Sequence, residues 1–163
     1  MLLFNRRWLL IGILPLIACG FEPIYGTKKL TNSFMGKIDV KISNGRNAFE
    51  LRDRLIARLG TSEDNSTYFL KYKSKIKSKS LTISKNDDVT RYTLQGQTNF
   101  KLIETSSKKV IYTDMVVSNT AYSATAGTYP TAIAERDANI RLSRDMADKI
   151  VTLLLITAED WLK

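Results

Sequence analysis

Histidine and cysteine, which recur in nucleophilic catalytic sites and metal sites, are nearly absent from this chain. Its 163 residues contain no histidine and one cysteine, Cys19. Without histidine a Ser-His-Asp or Cys-His arrangement cannot form, and the commonest metal ligand is missing. Ser74 with Lys77, and Ser106 with Lys109, have the S-x-x-K spacing of some Ser-Lys hydrolases, but both pairs fall in strand or loop contexts of a Ser/Lys-rich chain. The sequence therefore predicts a protein that is not an enzyme and that uses no metal or cofactor.

Lysines at every second position form the one charge pattern that suggests a binding site. They are Lys71, Lys73, Lys75, Lys77 and Lys79. No acidic residue occurs between Asn65 and Asn86, and residues two apart on a strand share a face at about 6.6–7 Å spacing. With a Debye length of about 8 Å, such neighbours repel one another. We predict that the first four of these lysines bind a polyanion; the alternative is a solvated edge strand that lysines protect from aggregation.

The single cysteine follows a segment of the type that directs export. Asn5-Arg6-Arg7 is basic, and an apolar stretch runs from Trp8 to Ala18 directly before Cys19. The stretch has eleven residues, which as a helix would extend roughly 16 Å, about half of a ~30 Å hydrocarbon core. These features are typical of a signal peptide rather than of a membrane-spanning helix.

The residues around the cysteine also predict its modification. Leu16-Ile17-Ala18-Cys19 resembles the lipobox of bacterial lipoproteins, with a large aliphatic residue three before the cut and a small residue directly before it. The cysteine becomes the new N-terminus, and its thiol carries the lipid because sulfur is the good nucleophile at that position. We therefore predict a lipoprotein signal peptide over residues 1–18 and a covalent lipid on Cys19. A free or buried Cys19 and an uncleaved anchor are the alternatives.

The predicted mature chain is basic and long enough for one domain. Removing residues 1–18 leaves 145 residues and lowers the formal charge from +9 to +7. In an exported protein this charge favours lipid headgroups, lipopolysaccharide phosphates or an acidic protein partner over nucleic acid. Tyr68, Phe69 and Tyr72, beside the lysines, are accordingly expected in the core and in sheet packing rather than on a base-stacking surface.

Hydrophobic periodicity predicts an α+β fold. Residues 19–36 show no sustained period and predict a lipidated tether, whereas 37–163 predict a single domain. Alternating patterns predict strands over 37–42, 67–77 and 89–103, and a run rich in Val, Ile, Tyr and Thr predicts a further strand over 110–122. Helical spacing predicts a helix from a cap at Asn47 to a stop at Gly60, and a longer one over about 131–158 after Pro130. This order favours a two-layer sandwich with an about four-stranded mixed sheet covered on one face by two helices.

Three stretches of the chain resemble one known family. Residues 19–26, Cys-Gly-Phe-Glu-Pro-Ile-Tyr-Gly, resemble the CGF-x-P-[LI]-YG start of the mature LPS-assembly lipoprotein family LptE, formerly RlpB, and especially its alphaproteobacterial branch. Leu51-Arg52-Asp53-Arg54-Leu55 is similar to that family's first-helix pattern, and residues 134–150 are similar to its last helix. The resemblance covers nearly the whole mature chain, and the octapeptide is its most specific part.

The resemblance implies a role for the chain. Members of the family are one-domain sandwiches that sit inside the outer-membrane barrel LptD and help it to insert lipopolysaccharide in the outer leaflet. The implied protein is an outer-membrane plug or accessory subunit, lipid-anchored on the periplasmic side, with the barrel and lipopolysaccharide as partners and no nucleic acid. The lysine row would then face lipid A phosphates or acidic residues lining the barrel. The alternative is a generic periplasmic lipoprotein that binds anionic lipid, or scaffolds the envelope, without a barrel partner.

The lipid prediction is tested by Cys19→Ala. We expect an unprocessed or mislocalised precursor whose domain from Lys37 onward still folds, because the core takes nothing from Cys19. Gel mobility, cell fractionation and thermal melting, with the wild-type chain as control, give the three readouts. Cleavage at the same bond together with unchanged outer-membrane fractionation would show that Cys19 is not lipidated.

Overall fold

Four strands and three helices make up the part of the chain that the structure describes. The computed structural model describes residues 34–41, 46–61, 66–83, 89–124 and 127–162. The elements in chain order are β1 (Ile38–Val40), α1 (Arg46–Leu59), β2 (Tyr68–Ile83), β3 (Val89–Glu104), β4 (Val110–Ser123), α2 (Thr128–Ile156) and α3 (Ala158–Trp161). This order confirms the predicted α+β class. Cys19, the signal peptide and nearly all of the tether lie outside the described residues.

The strands form one mixed sheet in the order β1-β2-β3-β4. β1 runs parallel to β2 with Ile38 opposite Tyr68, and α1 supplies the crossover that a parallel pair requires. β2 with β3, and β3 with β4, are antiparallel. The predicted mixed sheet is thus confirmed, and its first strand is short.

Both long helices pack on the same face of the sheet. Alternate residues of the strands point toward them, and each fully buried large side chain stabilises the fold by about 1.5–3 kcal/mol. The largest buried side chains of this core include Leu70, Leu94, Phe100, Leu102, Leu51, Leu55, Leu59, Leu142, Met146 and Ile150. The core therefore has two layers, as predicted, and no described element covers the other face of the sheet.

Gly96 allows α2 to lie close to the centre of the sheet. A Cβ atom at this position would stand 2.7 Å from the Met146 Sδ and 3.2 Å from the Leu142 Cδ2. The neighbouring Thr98 hydroxyl donates a hydrogen bond to the same sulfur at 3.3 Å. The helix thus packs directly against the β3 backbone at this point.

The helix ends differ from the predictions in three places. The predicted cap at Asn47 is wrong, since α1 begins at Arg46 and the Asn47 amide donates to the Asn139 Oδ1 of α2 at 3.4 Å. The last helix begins earlier than predicted, with Pro130 in its first turn. It also ends earlier, and Thr157 separates it from α3. Trp161 of α3 packs edge-on against Phe34 and Tyr68, which fixes this C-terminal turn.

The predicted stop at Gly60 is confirmed. Its N–H donates to the Ile56 carbonyl at 2.9 Å, and its φ of 87° lies in the left-handed region. The adjacent Gly36 donates to the Leu59 carbonyl at 2.8 Å, and a Cβ atom on Gly60 would stand 3.3 Å from the Gly36 nitrogen. The C-terminal end of α1 is thereby hydrogen-bonded to the turn that precedes β1.

We expect Gly60→Ala to lower the free energy of unfolding by about 1–2 kcal/mol, because a Cβ atom is strained at this φ. Gly60→Asn is the matched control and should lose less, since asparagine tolerates the left-handed region. Urea denaturation measures both variants. An alanine variant as stable as the wild type would contradict this account of the helix end.

Candidate functional site

The lysine row lies on the sheet face opposite the helices. The residues that alternate with it, Leu70, Tyr72 and Ile76, point toward the helices. The structure brings the four predicted site residues together, with the fifth lysine, on one solvent-facing surface. These exposed residues are Lys71, Lys73, Lys75, Lys77 and Lys79. We name the outward-pointing odd-numbered residues over 69–79, 91–103 and 113–123 the open face.

Charge is distributed unevenly between the two sides of the domain. No described residue of the open face is acidic. Asp39, on the neighbouring β1, forms an ion pair with Lys41 at 2.7 Å. Most acidic residues of the described chain lie instead on the helices, as Glu50, Asp53, Glu135, Asp137, Asp145, Asp148, Glu159 and Asp160. The open face therefore presents a positive potential that attracts anions.

Amide side chains run along β3 beside the lysines. In the sheet register Lys73 stands opposite Asn99, Lys75 opposite Gln97, and Lys77 opposite Gln95. Lysines and amides line two shallow grooves on this surface, of about 240 Å³ near Gln97 and about 620 Å³ near Lys79. Ammonium and amide N–H groups are hydrogen-bond donors that suit phosphate or carboxylate oxygens. The open face thus has the chemistry of an anion-binding surface.

Phe69 lies on the open face beside the lysines with which it alternates, and not in the core. The ammonium groups of Lys41, Lys71 and Lys108 stand 5.7, 5.5 and 5.6 Å from its ring centroid. At exposed sites such a cation–π contact contributes about 0.5–1 kcal/mol. The strand alternation could have placed Phe69 beside Lys71, but the other two lysines come from separate segments.

The other two aromatic residues are on the helix side, as predicted. Tyr68 packs against Trp161, and the Tyr72 hydroxyl donates to the Ala48 carbonyl of α1 at 2.8 Å. Burial raises the pKa of Tyr72 above its ordinary value, so the hydroxyl remains a donor at neutral pH. This hydrogen bond connects β2 to α1 on the sheet face opposite the lysine row.

An ion-pair network joins the two long helices. Arg54 donates two hydrogen bonds to Asp148, at 2.9 and 3.0 Å, and Arg58 stands 3.3 Å from the same carboxylate. The hydrogen bond to Asp148 raises the pKa of Arg54. Arg54 and Asp148 lie in stretches that carry the family resemblance, and the structure gives them a role in helix pairing.

A second carboxylate connects α2 to β4. Ser118 donates to Asp145, and the Lys149 ammonium group stands 2.9 Å from the same carboxylate. Burial acts to raise the pKa of Asp145, but the hydrogen bonds from Ser118 and Lys149 outweigh it, so the pKa is lowered. The carboxylate is therefore ionised at neutral pH and holds the helix on the β4 side of the sheet.

The S-x-x-K pairs do not assemble into a site. Strand alternation places Ser74 on the helix side and Lys77 on the open face, while Ser106 and Lys109 are exposed residues of the β3–β4 turn. Within the described residues no cluster of three His, Cys, Asp or Glu side chains is arranged to hold a metal ion. Across the same ranges, no helix combines the length and apolarity needed to cross a membrane.

The described domain is a two-layer α+β sandwich with helices on one sheet face and hydrogen-bond donors on the other. Residues 35–154 match the model of the LptE family, described as lipopolysaccharide-assembly, and the chain belongs to this family. It is accordingly a lipoprotein of lipopolysaccharide assembly in the Gram-negative envelope, not an enzyme, and it needs no cofactor. The matched residues begin after Cys19, so the lipid on Cys19 stays a prediction.

Related proteins share this fold. An uncharacterized protein of Rickettsia prowazekii is 26% identical over 139 residues, which are 85% of this chain and 88% of that protein. A Caulobacter crescentus protein matches with a TM-score of 0.66 at 17% identity, over 79% of this chain and 96% of its own. Rare lipoprotein B from Shewanella oneidensis matches with a TM-score of 0.57 at 13% identity, over 74% and 93%. At these identities the solved structures show the fold, and they confirm the predicted architecture.

Proposed function

We propose that this protein is the outer-membrane partner of an LptD-type barrel and acts as its plug or accessory subunit in lipopolysaccharide transport. In this proposal a lipid on Cys19 anchors the protein to the periplasmic side of the outer membrane. In this proposal Lys71, Lys73, Lys75 and Lys77 contact lipopolysaccharide phosphates or acidic residues of the barrel wall. The observation that carries it is the lysine row on the open face of a lipopolysaccharide-assembly protein. No described residue of that face on β2, β3 or β4 is acidic, and the nearby Asp39 of β1 is paired with Lys41.

The spacing of the row supports binding to an extended anionic surface. Lys71 stands opposite Lys101 in the β2–β3 register, which adds a cation beside the row. Like charges directly opposite one another on a sheet destabilise the pair. An anion that contacts both lysines relieves this repulsion, and each charged hydrogen bond contributes about 1.5–3 kcal/mol when desolvated and much less when exposed. The gain from binding is therefore largest where a partner covers the face.

A generic periplasmic lipoprotein would have the same basic face without a barrel partner, so the partner must be tested directly. We expect the tagged full-length protein, solubilised from outer membranes in detergent, to co-purify with an LptD-type barrel in a stable 1:1 complex. Mass spectrometry identifies the partner, and a tagged unrelated outer-membrane lipoprotein is the control. A folded protein that purifies without any barrel would contradict the proposal.

The lysine row is tested by replacing its first four residues with glutamine. If each exposed contact contributes about 0.3–0.5 kcal/mol, the variant should bind lipopolysaccharide or the barrel about tenfold more weakly. Its affinity should also depend less on salt, because fewer ion contacts remain to be screened. Binding is measured at low and moderate salt, with thermal melting to verify the fold.

Two control variants test whether the charge at these positions matters, and the second is compared with a variant that removes only two lysines of the row, Lys73→Gln combined with Lys75→Gln. Arginine at the same four positions keeps the charge and should keep the binding. Arg136→Gln combined with Arg144→Gln removes charge from the exposed side of α2 and should have little effect. Unchanged affinity of the folded glutamine variant at both salt concentrations would leave edge protection as the role of the row.

A further inference from the structure

The two long edges of the sheet differ in how their backbone groups are covered. On the β4 edge, side chains of α2 reach the strand carbonyls: Lys149 Nζ donates to the Val117 oxygen at 3.0 Å, and Arg141 Nη2 to the Ala121 oxygen at 3.5 Å. These cations occupy acceptors that another strand would need. The fold thus protects the β4 edge against strand pairing.

Among the described residues, the β2 edge has no such cover along most of its length. β1 pairs with residues 68–70, and the last bond between the strands joins the Lys41 N–H to the Leu70 oxygen at 3.0 Å. Because backbone groups alternate in direction along a strand, Ser74, Ile76 and Ser78 direct theirs to the same side as Leu70. Within the described ranges, no segment pairs with this edge beyond Leu70, and no helix side chain bonds to its backbone.

We propose that the β2 edge from Ser74 to Ser78 binds an extended acidic segment of a partner protein by strand addition. The backbone groups of β2 supply the hydrogen bonds, as in other cases where a peptide extends a sheet. Alternate side chains of the added strand lie on the open face, with Cβ atoms about 4.5–5.5 Å from those of Lys73, Lys75 and Lys77. Asp or Glu at every second position of the partner therefore pairs with the row.

The lysine row determines which strand the edge accepts. A second copy of β2 would bring two lysine rows side by side, and like charges opposite one another are destabilising. A neutral strand would leave the row uncompensated. The same charges that exclude these strands attract an acidic one, so the edge combines protection against aggregation with selectivity.

The inference does not depend on the proposed barrel partnership, because it concerns the β2 backbone and not the lysines alone. Its probe is a synthetic peptide of about ten residues in which Glu alternates with Thr or Val. Hydrogen exchange by mass spectrometry is followed on the full-length protein in detergent micelles. We expect the outward amides of Ser74, Ile76 and Ser78 to exchange about tenfold more slowly when nine-tenths of the protein is occupied. The same peptide with Gln for Glu should give no protection.

A proline variant separates strand addition from charge attraction. Ser78→Pro removes an outward N–H without removing a β3 ladder bond, which an edge position tolerates, and should weaken peptide binding about tenfold. Ser78→Ala keeps the N–H and should bind like the wild type. No binding at low salt, binding without slower exchange in β2, or equal binding by these two variants would each overturn the inference. None of these results would alter barrel co-purification or lipopolysaccharide binding, which test the proposed function separately.

Discussion

The packing of α2 against one face of the sheet is the constraint from which the rest of the molecule follows. Met146 of α2 packs closely against Gly96 of β3. The helix therefore covers this face of the sheet, and every second strand residue points into the core. Since the side-chain period of a strand is two, the lysines between the core residues must face solvent. A slip of one residue would bury the lysine row and expose Leu70 and Phe100, which fixes the register strongly. Core packing thus determines which side chains the open face presents.

The open face is basic because most of the acidic side chains of the described residues lie on the helix side of the domain. Asp148 is engaged by Arg54 and Arg58, and Asp145 by Ser118 and Lys149, so these carboxylates stabilise the packing of α2. The arginines of the described helices have acidic neighbours on the same side of the domain. The lysines of the sheet have few, because strand-borne acidic residues are scarce. The open face is therefore basic because the carboxylates lie on the helix side, where they stabilise helix packing.

The sequence was sufficient to predict the sheet, both long helices and the position of the lysine row, since each depends on a local period. It was not sufficient to predict contacts between side chains that are far apart in the sequence. The Asn47 amide bonds to Asn139 of the distant helix instead of capping its own. The helix breaks at Thr157, and Trp161 beyond the break packs against Phe34. No periodic pattern in the sequence indicates either the Asn47–Asn139 bond or this break. The face on which Phe69 lies follows from the strand period, whereas the contacts of Lys41 and Lys108 with its ring come from separate segments.

Because the first strand is short, the two proposals assign the lysine row two distinct roles at one place. The side chains of Lys73, Lys75 and Lys77 are exposed on the open face, while the adjacent β2 backbone lies at an edge that β1 leaves uncovered after Leu70. An anion on the face needs only the ammonium groups, whereas an added strand needs the backbone and the same ammonium groups. Two ligands that use shared charges bind less tightly together than apart, and the coupling is reciprocal. Under the two proposals, a lipopolysaccharide phosphate on the face would therefore lower the affinity of the edge for an acidic strand, and the strand would lower the affinity of the face for the phosphate by the same factor.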